Sequence, residues 1–182
     1  MRPLTLLNAK QLDLTLNRLA LQLIEVHGDF KDTAIIGIQR TGALFSNALI
    51  AKIQQLRPGL EPVQGLLDVT FFRDDFGRRR KPLQAFSTEL DFPVEGKKIV
   101  LVDDVLYTGR TIRAAMDALI SLGRPETVEL MVLIDRRFSR QLPIEPTYTG
   151  KRVDSIDSQH VAVKWDEKGF KEAILFDKTL DA

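Results

Sequence analysis

The sequence predicts an α/β domain with an open, mostly parallel twisted sheet and helices on both faces. Three short apolar runs, at residues 34–38, 98–102 and 128–134, have the near-continuous hydrophobicity of strands buried on both faces. Segments with helical spacing of apolar residues alternate with these runs, as in chains built from βαβ units. The length of 182 residues suits one such domain, so we expect residues 1–182 to form a single domain.

The first predicted helix covers residues 8–26, where apolar residues recur every three or four positions. Asn8 and Gln11 have the spacing of a capping box, and Gly28 is a typical helix stop. The other elements predicted by pattern are a helix over about 43–55, a strand over 63–72, a helix over about 111–122, and short strand-like pieces near 161–163 and 173–176.

The composition excludes several classes of function. The chain has no cysteine and two histidines, which rules out disulfides, thiolate zinc sites and cysteine nucleophiles. No apolar run is long enough to cross a membrane, and no signal peptide is recognisable, so we expect a cytoplasmic protein without a membrane partner. The net charge is only +1, so any site for an anion must be local.

One local basic segment is evident at residues 73–82. Its charges sum to five positive minus two negative, or +3, which exceeds the net charge of +1 for the whole chain. Aspartates, arginines, one glycine and a final proline make this a predicted mobile loop. A solvated hairpin tip would have the same composition.

Chemistry is concentrated at the end of the second apolar run. Asp103 and Asp104 follow four apolar residues, at the end of a strand where open α/β sheets bind ligands. Adjacent carboxylates that lose water need hydroxyls, a cation or ordered water as partners. Thr108, Gly109 and Thr111 then lead into a helix, whose free amide groups and dipole favour a phosphate. The spacing fits ribose 5-phosphate, although a solvated strand end followed by a helix cap is the alternative.

Residues 99–111 resemble the phosphoribosyl diphosphate fingerprint of the type I phosphoribosyltransferases. Further runs resemble the pyrimidine operon regulatory proteins, a branch of that family that doubles as uracil phosphoribosyltransferases. These runs cover most of the chain and lie at 67–75, 116–119, 122–125, 132–136, 142–144 and 148–151. The resemblance implies the type I fold, with a small hood and a flexible loop, and substrates uracil and phosphoribosyl diphosphate, with UMP and UTP as bound nucleotides.

The resemblance also implies roles for individual residues. Asp103, Asp104 and Arg73 are expected to be catalytic, and Mg²⁺ is expected to be held mainly through substrate oxygens. The flexible loop, with the basic residues 78–81, is expected to fold over the site. The remaining expected contacts are Val105, Tyr107, Thr108, Gly109, Arg110 and Thr111 for the 5-phosphate, Gln39, Arg40, Thr41 and Gly42 for the diphosphate, and Ile134, Asp135 and Arg136 for uracil.

Gly37 and Gly42 are also spaced as in a Walker A motif. Ala43 and Leu44 replace the Lys and the Ser or Thr that this motif requires, so we reject an ATPase.

The branch that the chain resembles further implies binding to a pyrimidine operon mRNA leader and a homodimer or higher homo-oligomer. Candidate RNA contacts are Arg18, Arg136, Arg137, Arg140, Lys151 and Arg152. Two alternatives stay open: a UMP-sensing RNA-binding regulator with little catalysis, and a phosphoribosyltransferase that acts on a purine base.

Overall fold

The computed structural model describes residues 3–75, 85–166 and 169–177. Eight strands and three α-helices occur in these residues. In chain order they are β1 (Leu4–Asn8), α1 (Ala9–His27), β2 (Thr33–Ile38), α2 (Thr41–Leu56), β3 (Val63–Leu67), β4 (Lys98–Leu106), α3 (Arg110–Leu122), β5 (Thr127–Arg137), β6 (Tyr148–Asp154), β7 (Gln159–Asp166) and β8 (Gly169–Asp177).

A five-stranded sheet in the order β3-β2-β4-β5-β6 forms the centre of the fold, and all its neighbouring strands are parallel. Helices α1 and α2 bury leucines and phenylalanine such as Leu19, Leu23 and Phe45 on one face. Helix α3 buries Ile112 and Leu119 on the other. The predicted fold class is confirmed, because the apolar runs are strands buried by helices from both sides.

A second, antiparallel sheet has the order β1-β8-β7 and is the expected small hood. Its strands include the two short pieces predicted near the end of the chain. The sequence pattern missed β1 and β6. Strand β1 has only five residues, and β6 contains glycine and charged residues that give no apolar run.

Both termini of helix α1 have the capping residues that its sequence predicts. The Asn8 side chain accepts from the Gln11 amide, the Gln11 side chain accepts from the Asn8 amide, and Gly28 follows with φ of 59°. Helix α2 begins two residues before the predicted start, at Thr41.

The strand predicted over 63–72 is wrong beyond Leu67. A turn of 3-10 helix covers Thr70–Phe72, where the Asp68 carboxylate accepts from the Thr70 amide at 2.9 Å and competes with the strand ladder. Strand β4 is longer than predicted, since it continues through Asp103 and Asp104 to Leu106. Among the described residues, no helix is both long and apolar enough to span a membrane.

Candidate functional site

A cavity of about 460 Å³ lies at the carboxyl edge of the parallel sheet. It is lined by residues 73–75, Asp103 and residues 105–112. The structure thus brings together the strand end, the turn into α3 and the start of the basic segment, three features that the sequence places up to 39 positions apart. Residues 76–82 of that segment, including the basic run 78–81, lie outside the described residues.

Asp103, which lines the cavity, is buried near the end of β4, and Asp104 next to it is partly buried. Asp103 is 7% exposed, and its carboxylate accepts from the Asp104 amide at 2.9 Å. Burial raises the pKa of Asp103 well above its ordinary value, the neighbouring Asp104 raises it further, and Arg73 opposes the shift. Burial also raises the pKa of Asp104, against a hydrogen bond from Thr41. This edge of the sheet therefore favours a ligand that brings positive charge or hydroxyl groups.

Residues 108–111 form the turn that enters α3. Gly109 has a φ of 91°, and a Cβ there would lie 3.2 Å from Ile144 Cδ1, so glycine suits both the backbone and the space. The Thr108 carbonyl accepts from the amides of Gln141 and Leu142, at 3.0 and 3.3 Å. The turn is thus held from outside the helix, and the amino end of α3 lines the cavity, where its dipole and first-turn amides favour an anion.

Arginines and aspartates meet on the cavity wall. Arg73 donates twice to the Asp75 carboxylate, at 2.8 and 3.0 Å, and donates to Thr111 Oγ1 at 3.2 Å. This pairing with Asp75 raises the pKa of Arg73. Arg110 donates to the Asp74 carboxylate and, at 2.8 Å, to Gln141 Oε1. Both cations at the cavity are thus paired with carboxylates from the same short segment.

The loop at residues 39–42 does not line the cavity, but it contacts the strand that carries the aspartates. A Cβ on Gly42 would lie 2.6 Å from the Val102 carbonyl oxygen, so only glycine permits this approach. The Gln39–Arg40 peptide bond is cis. Thr41 hydrogen-bonds Asp104, while the Arg40 side chain is exposed.

The segment expected to contact uracil is buried. Ile134 and Arg136 are 0% and 2% exposed, and both belong to β5, which is paired with a strand on each side, so neither residue is open to a base in this structure. Arg136 donates to Ser155 Oγ at 2.8 Å and to the carbonyls of Ile156 and Gln159, and its guanidinium lies 3.9 Å from the Tyr107 ring centroid. It is not the surface cation that an RNA contact requires.

The other candidate RNA contacts fall into two groups. Arg137, Arg140 and Arg152 surround a second cavity of about 440 Å³, together with the buried Asp135. Arg140 donates to Asp135 at 2.5 Å, Arg152 lies 3.8 Å from it, and Arg137 pairs with an aspartate on β6.

Arg18 and Lys151 lie on the α1 side of the sheet and bind main-chain carbonyls. Arg18 donates to the carbonyls of Thr149 and Gly150, and Lys151 donates to that of Leu6. Within the part of the chain that the structure describes, neither has a carboxylate partner within 4.0 Å.

Sequence reasoning missed two functions of acidic residues next to the site. The sequence shows Asp74 and Asp75 only as members of a charged loop, yet in the structure they pair with Arg110 and Arg73. Asp68 accepts from Thr70 Oγ1 at 2.6 Å and from the Phe86 amide at 2.8 Å, so it holds residues from both sides of the basic segment. Its signal in the sequence is the Asp-x-Thr pattern of an Asx turn.

The metal-binding capacity of the site depends on its oxygen donors. Among the described residues, no group of three or more His, Cys, Asp or Glu side chains could hold a metal ion alone. The adjacent carboxylates of Asp103 and Asp104 are hard donors of the kind Mg²⁺ uses together with substrate oxygens and water. The residues therefore fit a magnesium ion that arrives with a phosphorylated substrate.

Comparisons with known proteins agree with this geometry. Residues 4–168 match the family model for the phosphoribosyl transferase domain. A protein named bifunctional protein PyrR from Picosynechococcus sp. is 40% identical over 169 residues, which cover 93% of this chain and 94% of that protein. The protein of the same name from Acetivibrio thermocellus is 46% identical over 149 residues, or 82% of this chain and 80% of its own.

A solved structure extends the match to the whole fold. A hypoxanthine phosphoribosyltransferase from Trypanosoma cruzi superimposes with a TM-score of 0.74 over 98% of this chain and 97% of its own, at 14% identity. At that identity the likeness concerns the fold and says nothing of the base. The site and the two relatives together give the assignment: this chain belongs to the phosphoribosyltransferase family, in the branch of the bifunctional PyrR proteins.

Proposed function

We propose that the chain transfers a phosphoribosyl group to uracil, giving UMP and diphosphate, and that it also regulates a pyrimidine operon by binding its mRNA leader. The observation that carries the catalytic part is the cavity, which joins a buried carboxylate to an anion site at the start of α3. The regulatory part is supported by the PyrR relatives, which are named bifunctional proteins. Membership of that branch favours this function over a purine substrate.

In the proposed reaction, the residues at the start of α3 bind the 5-phosphate and fix the ribose against β4. Asp103 and Asp104 accept hydrogen bonds from the ribose hydroxyls and stabilise the positive charge that develops at the anomeric carbon. Uracil N1 forms the new bond to that carbon as the bond to diphosphate breaks, and the N1 proton leaves to the departing diphosphate or to water. The loop at Gln39 to Gly42, which contacts Asp104 through Thr41, receives the diphosphate.

Cations neutralise the departing diphosphate in this scheme. Arg73 lines the cavity together with Asp103, and its charge opposes the rise in the pKa of that carboxyl. Asp103 and Asp104 would hold magnesium together with substrate oxygens, and the ion would supply further neutralisation of the diphosphate charge. Regulation of transcription would place the protein in the cytoplasm.

For RNA, we propose contact through the α1 side of the sheet. Arg18 and Lys151 bind carbonyls there, so they keep a positive charge that no described carboxylate within 4.0 Å offsets. Leu14 and Leu21 on the same helix are 61% and 54% exposed, and their seven-residue spacing puts them on one face with Arg18. Contact through these exposed leucines would form a homodimer or larger assembly in which basic groups from two copies border one another and make a single face for RNA.

One purified sample tests both parts. Uracil-dependent release of diphosphate is measured beside gel-shift binding of the operon leader, with and without UMP, at a fixed salt concentration. We expect turnover with uracil but not with hypoxanthine or guanine, and RNA binding that UMP strengthens. RNA binding without turnover would contradict the catalytic part, and turnover without RNA binding would contradict the regulatory part.

A second measurement locates the RNA contact. Replacing Lys151 by Gln should weaken leader binding and lower the slope of its salt dependence by about 1, as expected for one lost phosphate contact. Arg137→Gln is the matched control on the other side of the sheet. An equal loss in the control would contradict this placement.

A further inference from the structure

The anion site at the start of α3 contains a carboxylate of the protein itself. Asp74 lines the same cavity as residues 108–111. Its carboxylate accepts from Arg110 and lies 4.0 Å from the Arg113 guanidinium. The Arg110 guanidinium, which would neutralise a bound phosphate, is thus already paired with a carboxylate in the free protein.

The geometry around Arg110 allows one partner to be exchanged for another. Gln141 Oε1 accepts from Arg110 Nε at 2.8 Å and holds the guanidinium from one side, so the side chain can keep its place without Asp74. The Arg110 and Asp74 side chains are 50% and 36% exposed, and exposed ion pairs of this kind are weak. A phosphate monoester carries close to two negative charges and three acceptor oxygens, so it is the stronger partner.

We propose that Asp74 is an internal competitor for the 5-phosphate subsite and lowers the affinity of that subsite for its substrate. In the free protein the Asp74 carboxylate accepts from Arg110, and the 5-phosphate of the substrate displaces it. This displacement costs part of the binding free energy, so each anion binds more weakly than it would to an arginine without a carboxylate partner.

This inference rests on the proposed function, because it takes the cavity as a phosphoribosyl site. It goes beyond that function in giving an acidic residue a role in the affinity for substrate. Asp75 cannot take the place of Asp74 here, because its two carboxylate oxygens accept from Nε and Nη2 of Arg73.

The test is the affinity of the full chain for ribose 5-phosphate, measured by calorimetry. Asp74→Asn keeps the size of the side chain and removes its charge, and we expect it to bind ribose 5-phosphate about five-fold more tightly than the natural protein. Asp74→Ser, a second variant without the carboxylate, should change affinity in the same direction. Thermal unfolding verifies that each variant is folded.

Asp117→Asn is the matched control. Asp117 pairs with Arg113 at 3.1 Å on the exposed surface of α3, and it does not line the cavity. We expect this variant to bind ribose 5-phosphate as the natural protein does. If it tightens binding as much as Asp74→Asn, a general change in surface charge explains the effect and the inference is wrong.

A double-mutant cycle identifies the route of the effect. With Arg110 replaced by Gln, removing the Asp74 charge should change the affinity less than two-fold, about the limit of such a measurement. An undiminished effect in that background would overturn the role of Arg110 as the shared partner.

The outcomes separate this inference from the proposed function. A natural protein that binds neither ribose 5-phosphate nor phosphoribosyl diphosphate would refute both. A natural protein that binds both compounds, with Asp74→Asn and Asp74→Ser no tighter, would refute the inference alone.

Discussion

The two edges of the parallel sheet both bury ionisable side chains, and they differ in the partners that these side chains find. At the amino edge, His27 lies 3.1 Å from both Thr33 Oγ1 and Glu129 Oε2, and the Tyr148 hydroxyl donates to the same glutamate oxygen at 2.7 Å. At the carboxyl edge, the buried Asp103 has another carboxylate beside it. The buried polar groups of the amino edge thus satisfy one another. Those of the carboxyl edge lack partners that a ligand can supply.

The pKa shifts describe this difference in electrostatic terms. Burial and the adjacent Glu129 raise the pKa of Tyr148, so its hydroxyl stays a donor in the network. Burial and the adjacent Asp104 also raise the pKa of Asp103. There the cause is that the ionised carboxylate has too few cations or hydrogen-bond donors around it. Substrate hydroxyls and cations supply these partners. A stabilising edge and a binding edge therefore differ in one property: in the first the buried ionisable groups have compensating partners within the protein, and in the second they do not.

The largest effect should come from neutralising the carboxyl edge. Asp103→Asn removes a charge that stabilises the developing positive charge on the ribose, so we expect kcat/KM for phosphoribosyl diphosphate to fall about 100-fold. The same change should increase the free energy of unfolding at mildly alkaline pH. There the natural protein buries an ionised group, and the Asn side chain can still accept from the Asp104 amide.

Steady-state kinetics and urea unfolding measure the two effects, with Asp117→Asn as the control that should change neither. A variant that loses activity and stability together would mean that Asp103 is a structural residue. The two edges would then not differ in kind.

The amino edge should respond in the opposite way. Glu129→Ala leaves the partly buried His27 and Tyr148 without their shared acceptor, so we expect the free energy of unfolding to fall by about 1–3 kcal/mol. The KM for phosphoribosyl diphosphate should stay unchanged below the unfolding temperature. Urea unfolding followed by kinetics on the folded variant gives both values. A raised KM would show that the two edges communicate.

A smaller effect is expected on the pH dependence of activity. The catalytic carboxylates must be ionised, and burial raises the pKa of Asp103, so the acidic limb of kcat/KM should lie above the ordinary range of an aspartate. The fold should lose stability as pH rises through the same region, because the folded state holds this proton more tightly than the unfolded state does.

The profile for Asp103→Asn is the control for this pH effect. A limb that belongs to the phosphate of the substrate remains in that variant, whereas a limb that belongs to Asp103 is lost. A limb at the ordinary aspartate position in the natural protein would contradict the raised pKa.

The parallel sheet could be predicted from sequence because its strands are apolar on both faces and its helices end in recognisable caps. Asn8 with Gln11, and Gly28, are local signals that need no knowledge of the rest of the chain. Strand β6 escaped prediction for the converse reason. Its centre is the run Gly150, Lys151 and Arg152, which gives no apolar pattern, and it is a strand because it pairs with the edge of β5.

The site was predictable where its residues are close in sequence and not where they are brought together by folding. The Asp103 carboxylate and the turn at Gly109 belong to one short run, and both line the cavity. The pairing of Asp74 with Arg110 joins positions 36 apart. The burial of Arg136 likewise depends on a chain connection some 20 residues later, so the sequence shows a cation where the structure has a buried contact.

That buried arginine also has a mechanical consequence. Arg136 is gripped on one side by Ser155 and the two carbonyls that follow, in the connection leading to the hood, and on the other side it lies against the Tyr107 ring in the cavity wall. One buried guanidinium therefore connects the entry to the hood with the wall of the substrate cavity, so a change in its packing at either end alters the surroundings of the other.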